Sequence, residues 1–130
     1  MAESTTRPAR AARVATPPKK RLRAVAGYFA DPDSSDAGRL LNERIRLGIM
    51  SALSVSRSMS FRELRDLLNT TDGNLSRHAR TLEDAGYLKC SKTFFGRVPR
   101  TEYSLSAKGK RAFTRHLAHM EALIQATRGD

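Results

Sequence analysis

Between Thr71 and Gly86 the apolar residues Leu75, Ala79 and Leu82 recur at i, i+4 and i+7. That spacing gathers them on one face of an α-helix and turns the face to a core. At about 100° per residue, the opposite side carries Gly73, Arg77, Arg80, Thr81 and Asp84, with Asn74 and Ser76 at its flanks. Thr71 suits the N-cap, and Gly86 suits the stop, because glycine takes the left-handed conformation without steric cost. The pattern predicts a short helix over 72–85 that presents one polar face. Upstream, Ser60-Phe61-Arg62-Glu63 has the form of a capping box, with Met59 and Leu64 placed as its hydrophobic staple. A second helix therefore starts at Phe61, with Phe61, Leu64, Leu67 and Leu68 as its buried stripe. Asn69, Thr70 and Thr71 are the only residues left to join the two. Two short amphipathic helices joined by such a turn form a helix-turn-helix, whose second member can lie in the DNA major groove.

The flanking segments extend the pattern. Asp36 suits the N-cap of a helix over 37–53 with a main stripe of Leu41, Ile45, Gly48, Ile49 and Ala52. Leu40, Leu47 and Met50 form a second apolar face, so this helix is expected to be buried on two sides, the second partner being another copy of the chain. Residues 54–58 are turn-rich, and 58–60 can form a short strand. Tyr87 to Phe94 and Thr101 to Leu105 alternate roughly with period two around the turn residues Phe95 to Arg100. This predicts a β-hairpin with Arg97 and Arg100 at its tip and Lys92 close by. Ser106 suits the cap of a last helix to about Thr127, on which Phe113, Leu117, Met120 and Ile124 repeat at 4, 3 and 4, a narrow seam of the kind helices use to pair.

Residues 1–35 read as a disordered basic tail and 36–128 as one folded domain. The tail holds four of the five prolines and lacks apolar periodicity, so it buries too little surface to offset its ordering entropy. Whether Val25 to Phe29, with its two aromatics, docks on the domain is left open. The chain's 24 Lys and Arg against 13 Asp and Glu give +11, of which residues 1–30 carry +6. Such an excess favours a polyanion as partner. No apolar run approaches the roughly 20 residues that span a bilayer, and one Cys makes no intrachain disulfide, which suits a reducing, cytoplasmic and nucleoid-associated setting. Cys90 on a strand reads as a small buried hydrophobe. His116 and His119, at i and i+3, make an incomplete metal site, so no metal or cofactor is expected. No nucleophile–base pairing, Gly-rich phosphate loop or paired carboxylates stand out, and an enzyme is not expected.

The order helix, short strand, helix, turn, helix, basic hairpin, long helix resembles the small bacterial winged helix-turn-helix transcriptional regulators of the MarR and ArsR type. The resemblance rests on Leu41 to Met50, Phe61 to Leu64, Asp72 to His78, Leu82 to Leu88 and Tyr103 to Gly109. It implies a mainly α fold with a small β-hairpin (α+β), with N- and C-terminal dimerisation helices. It also implies a homodimer, often a repressor, on a pseudo-palindromic double-stranded operator. Asn74, Ser76, Arg77, Arg80 and Thr81 are then expected at the major groove, and Lys92, Arg97 and Arg100 of the wing on the backbone or minor groove. Leu40, Leu47, Met50, Phe113, Leu117, Met120 and Ile124 are expected at the dimer interface. No residue set marks a small-molecule effector pocket, and no membrane partner is expected. Two rival readings remain from the charge and the fold: an RNA-binding or ribosome-associated winged helix, and a winged helix used as a protein-interaction module.

Overall fold

The computed structural model describes residues 18–30 and 37–128. In chain order the elements are α1 (Pro18–Ala30), α2 (Arg39–Leu41), α3 (Arg44–Val55), β1 (Met59–Ser60), α4 (Phe61–Leu68), α5 (Asp72–Asp84), β2 (Leu88–Phe95), β3 (Val98–Leu105) and α6 (Ala107–Arg128). The three strands form an antiparallel sheet in the order β1-β3-β2. No helix among the described residues is long and apolar enough to cross a membrane.

The capping box forms as its spacing predicts. The Ser60 hydroxyl accepts from the Glu63 N–H at 3.1 Å, and the Glu63 carboxylate accepts from the Ser60 N–H at 2.8 Å. Two of the N–H groups that a helix start leaves unpaired are thereby satisfied. The same residues close the sheet, because Met59 and Ser60 pair with Tyr103 and Glu102 of β3. At its other end α4 stops on Asn69, the one described non-glycine residue with positive φ (52°). The Thr71 hydroxyl then caps α5 by accepting from the Asn74 N–H at 3.1 Å. Leu64, Leu75, Ala79 and Leu82 are fully buried, so both helices of the pair put their stripes into one core. Leu67, expected inside, is instead exposed, since α4 covers the core with Leu64 and only the edges of Phe61 and Leu68.

Three segments differ from the sequence-based expectation. The helix expected over 37–53 is broken at Asn42 and Glu43. Glu43 takes extended backbone and caps α3, its carboxylate accepting from the Arg46 N–H at 2.8 Å. The cap expected at Asp36 lies outside the described residues. The hairpin is longer than its alternation indicates, running to Phe95 and from Val98 with only Gly96 and Arg97 between. Gly96 has φ +67°, which fits the first position of a two-residue type II′ turn and favours glycine there. Pro99 is tolerated because β1 reaches only Tyr103 and Glu102, leaving β3 with an open side at the tip. Finally, Pro18–Ala30, assigned by composition to a disordered tail, is a helix lying against α6. One contact across the two helices is Tyr28 against His119 of α6, edge to face with centroids 6.1 Å apart; within α1 the same ring meets Phe29 at 4.9 Å. The rest of the assigned tail, residues 1–17 and 31–35, lies outside the described residues.

Two residues expected at a dimer interface belong to the chain's own core. Met50 is fully buried and Phe113 nearly so, both in the same apolar cluster as Ile49, Leu75 and Leu82. Because α3 is covered on its second face by its own domain, the inference from two apolar faces to a second copy fails at these positions. Leu40 and Leu47 are half-buried and pack against that core as well. Leu117 and Ile124 of α6 are exposed and Met120 is half-buried.

Candidate nucleic-acid interface

α5 stands on the body with its polar face outward. Ser76, Arg77 and Arg80 are exposed, and Asn74 and Thr81 are half-buried. The half-buried pair serve the helix itself. Asn74 donates from Nδ2 to the Thr70 hydroxyl and accepts from Arg77 Nη2 at Oδ1, both at 2.8 Å. Thr81 donates its hydroxyl to the Arg77 carbonyl at 3.0 Å. Asn74 therefore orients the Arg77 guanidinium instead of standing free. Among the described residues the Arg80 side chain makes one long exposed pair, with Asp84 at 3.6 Å, of the kind that holds a side chain weakly. Ser76, Arg77 and Arg80 are the groups best presented to a groove.

Behind this face the helix is braced by residues that periodicity alone did not single out. His78 is buried on the inward side, between Leu75 and Leu82. Arg46 of α3 donates from Nη1 to His78 Nδ1 at 3.0 Å and from Nε to the Leu40 carbonyl at 2.6 Å. The Glu43 carboxylate lies 3.6 Å from the same imidazole nitrogen. With Nδ1 accepting, the ring is the neutral tautomer with its proton on Nε2. Burial pushes the His78 pKa below the ordinary histidine value; the nearby Arg77 and Arg46 add to this and Glu43 opposes it. For Glu43 itself, burial acts to raise the pKa, but the hydrogen bonds from the Arg46 and Ile45 N–H groups and the charge of Arg46 prevail and hold it below the usual carboxylate value. A signal existed in the sequence, since position 78 lies on the same stripe as 75, 79 and 82. At the helix start, Arg65 of α4 pairs with Asp72 at 2.8 Å and with Asp66 at 3.2 Å. Its guanidinium offsets the negative charge that Asp72 would turn toward a phosphate.

The wing leaves the body just after α5, across Ala85, Gly86 and Tyr87. Ser106 secures that corner by donating to the Gly86 carbonyl at 2.5 Å and accepting from the Gly109 N–H at 2.9 Å. A side chain at Gly109 would run into the Tyr87 backbone, so α6 approaches the wing's base closely only with glycine there. Residues 91–99 are all exposed. Lys92 and Arg97 stand out along them, as expected. Arg100 is more confined, with its guanidinium 3.5 Å from Glu63, 3.4 Å from Glu102 and 5.7 Å from the centre of the Phe95 ring. It braces the wing against the capping box. Cys90 is half-buried at the wing's base, and burial raises its thiol pKa, which opposes thiolate chemistry. Among the described residues no group of three or more His, Cys, Asp or Glu could hold a metal ion.

Comparison with known proteins agrees with this geometry. An uncharacterized protein of Methanocaldococcus jannaschii is 32% identical over 80 residues, which cover 61% of this chain and 86% of the relative. The solved structure of a transcriptional regulator homologue from Pyrococcus horikoshii OT3 superposes with a TM-score of 0.67 at 30% identity, covering 75% of this chain and 98% of that one. The crystal structure of MarR superposes with a TM-score of 0.62 at 16% identity, covering 82% and 74%, which speaks to the fold alone. The family model described as winged helix DNA-binding domain matches residues 45–124, more than half of the chain. The chain belongs to this winged helix DNA-binding domain family, whose role is DNA binding and not catalysis.

Proposed function

We propose that this protein is a transcriptional regulator that binds double-stranded DNA sequence-specifically as a homodimer, most often to repress. The observation that carries the reading is the outward face of α5. Ser76, Arg77 and Arg80 are exposed there, Arg77 is oriented by Asn74, and the helix is fixed from behind by His78, Leu75 and Leu82. A helix fixed in this way gives its side chains a defined register against base edges, and bidentate contacts from Arg to guanine O6 and N7 are each worth about 1 to 3 kcal/mol of discrimination. Lys92 and Arg97 of the wing supply backbone or minor-groove contacts. Asn74 and Thr81 support the reading side chains. The P. horikoshii structure, described as a transcriptional regulator homologue, favours the same role.

The dimer part of the proposal is narrowed to α6. Leu117 and Ile124 are 46% and 41% exposed, and with the half-buried Met120 they give that helix an apolar surface still open to a second copy. Leu40 and Leu47 pack half-buried against the chain's own core and are left out of this surface.

Selection of bound sequences from a random duplex library at near-physiological salt, with the full chain, tests this reading. Enrichment of an inverted repeat with half-sites about one helical turn apart is the expected result. A flat selection, or a monomer that prefers structured RNA in direct competition, overturns it in favour of a non-specific or RNA-directed function.

A further inference from the structure

The wing ends in a blade that folding does not explain. Its last two rungs are Phe94 opposite Pro99 and Phe95 opposite Val98. Successive residues of a strand point to opposite faces, so the tip is apolar on both sides. Phe94 and Phe95 are each 72% exposed, as large a fraction as any aromatic in the described chain, and Val98 is also exposed. The core, by contrast, ends lower down the hairpin, where Leu88, Tyr103 and Leu105 are buried. Single exposed apolar residues are ordinary, whereas a cluster at the end of a projecting hairpin marks a contact surface. Cations surround the cluster: Lys92 lies two residues behind Phe94 on the same face, Arg97 is in the turn, and Arg100 sits against the Phe95 ring.

We infer that this tip is a minor-groove wedge. One phenyl ring, Phe94 or Phe95, enters a base step and unstacks it, while Lys92 and Arg97 hold the flanking phosphates. Among the occupants an apolar tip can take, duplex DNA is selected by two features. The exposed cations Lys92 and Arg97 complement phosphate strands rather than an apolar protein surface, and the wing continues directly from α5, the helix assigned to the adjacent major groove. Apolar wedges flanked by cations are a known means of kinking DNA from the minor groove. Pyrimidine–purine steps, which unstack most easily, are the preferred site, so the wing adds a sequence preference that involves no base-edge hydrogen bond. Arg100, held by Glu63 and Glu102, keeps the Phe95 ring at a fixed height over the wing for this purpose. The inference rests on the duplex-binding arrangement proposed above.

The test uses the full chain at low salt and a 24-base-pair A·T-rich duplex carrying 2-aminopurine at its TpA steps, with an end label for anisotropy. Binding is expected to raise anisotropy and to increase 2-aminopurine emission, the signature of an unstacked base. The double variant Phe94→Ala/Phe95→Ala, whose side chains are exposed and whose melting curve serves as the folding control, is expected to lose the emission rise and to bind about fivefold more weakly. Arg97→Ala is expected to bind more weakly while keeping the emission rise at saturation. Raised anisotropy with unchanged emission, or an equal rise in the double variant, overturns the wedge and leaves duplex binding intact. No anisotropy change would defeat the duplex reading itself. A double variant that turns from dimer to monomer in sedimentation would make the tip a contact between copies and also overturn the wedge.

Discussion

The helix α5 and the wing meet the same solvent in opposite ways. α5 exposes only polar groups and is fixed by a cap, an ion pair at its start, a buried imidazole–guanidinium contact and three fully buried apolar side chains. The wing beyond Cys90 exposes phenyl rings and rests on little except the Arg100 contacts. Register against base edges needs a surface that does not move, because a misplacement of an ångström loses a bidentate hydrogen bond. Contact with a deformable backbone needs reach and tolerates adjustment. Under the proposed function, the contrast divides the labour of one interface between a rigid reader and an adaptable extension.

The largest effects should come from undermining the reader. Leu75→Ala or Leu82→Ala removes a fully buried side chain from beneath α5 and is expected to lower the unfolding free energy by about 2 to 5 kcal/mol. Phe94→Ala at the wing tip is expected to change it by about 0.5 kcal/mol or less, as an exposed substitution. Urea denaturation measures both. Equal costs would mean that the tip is packed and that the contrast drawn above is false.

Next in size is the brace. His78→Ala removes the acceptor of the Arg46 guanidinium at a buried site and is expected to cost about 1 to 3 kcal/mol. The brace also has a pH signature. Burial lowers the pKa of His78 in the folded chain, and the same is true of His116, so the unfolded chain binds protons first as pH falls. Stability should be full above about pH 6.5, the ordinary histidine value, and decline below it through the window down to the folded pKa values. His78→Gln keeps an acceptor for Arg46 but does not titrate, and should flatten part of that decline. Urea midpoints at pH 8 and pH 5 that fall by the same amount in the wild type and in His78→Gln would exclude His78 as a source of it.

How much of this was legible in the sequence depended on how local each cause is. The capping box at Ser60 and Glu63, the cap at Thr71 and the stripe of Leu75, Ala79 and Leu82 act within a few residues, and the helix pair could be read from them. Glu43 is local too, but a helix former and a capping carboxylate look alike in a sequence, and the break at residues 42–43 was missed. Pro18–Ala30 buries no side chain fully and is half-buried only at Arg21, Val25 and Tyr28, so its helix depends on α6 lying beside it, and composition alone points to disorder. The partition of dimer candidates likewise depended on tertiary structure: whether Met50 and Phe113 face a second copy or their own core is set by how α3, α5 and α6 meet. Arg100 was legible as basic and near the tip, but its confinement by Glu63, 37 positions away, was not. In the sequence Phe94 is a strand end and Phe95 a turn residue, because alternation does not say where the core stops along a hairpin.

A smaller effect separates the two halves of the interface in function. Arg77→Ala should relax base preference at one operator position by about 1 to 3 kcal/mol. Arg97→Ala should weaken all duplexes alike and reduce the salt slope by about one per subunit, about two for the dimer. Competition between the enriched operator and a random duplex across a salt series reads both. Equal losses on both duplexes from both variants would remove base readout from α5.

The smallest effect probes whether Arg80 reads DNA at all. Its only described partner is Asp84, one turn away, and both side chains are largely exposed at 3.6 Å. Such a pair contributes little to stability, so Asp84→Asn should leave the urea midpoint unchanged within error. It does, however, place a carboxylate on the exposed polar face of α5, the side proposed to meet DNA. If Arg80 meets the groove, neutralising Asp84 frees the guanidinium and removes a charge that repels phosphate, and affinity should rise slightly at low salt, with the gain fading as salt screens it. If the pair instead holds Arg80 in its reading position, the same substitution lowers affinity for the operator while leaving the random duplex unaffected. A loss of the same size on both duplexes would assign Arg80 to the backbone and leave Arg77 as the sole arginine of the reading face, whereas an equal gain on both would report only the removal of a charge that repels phosphate.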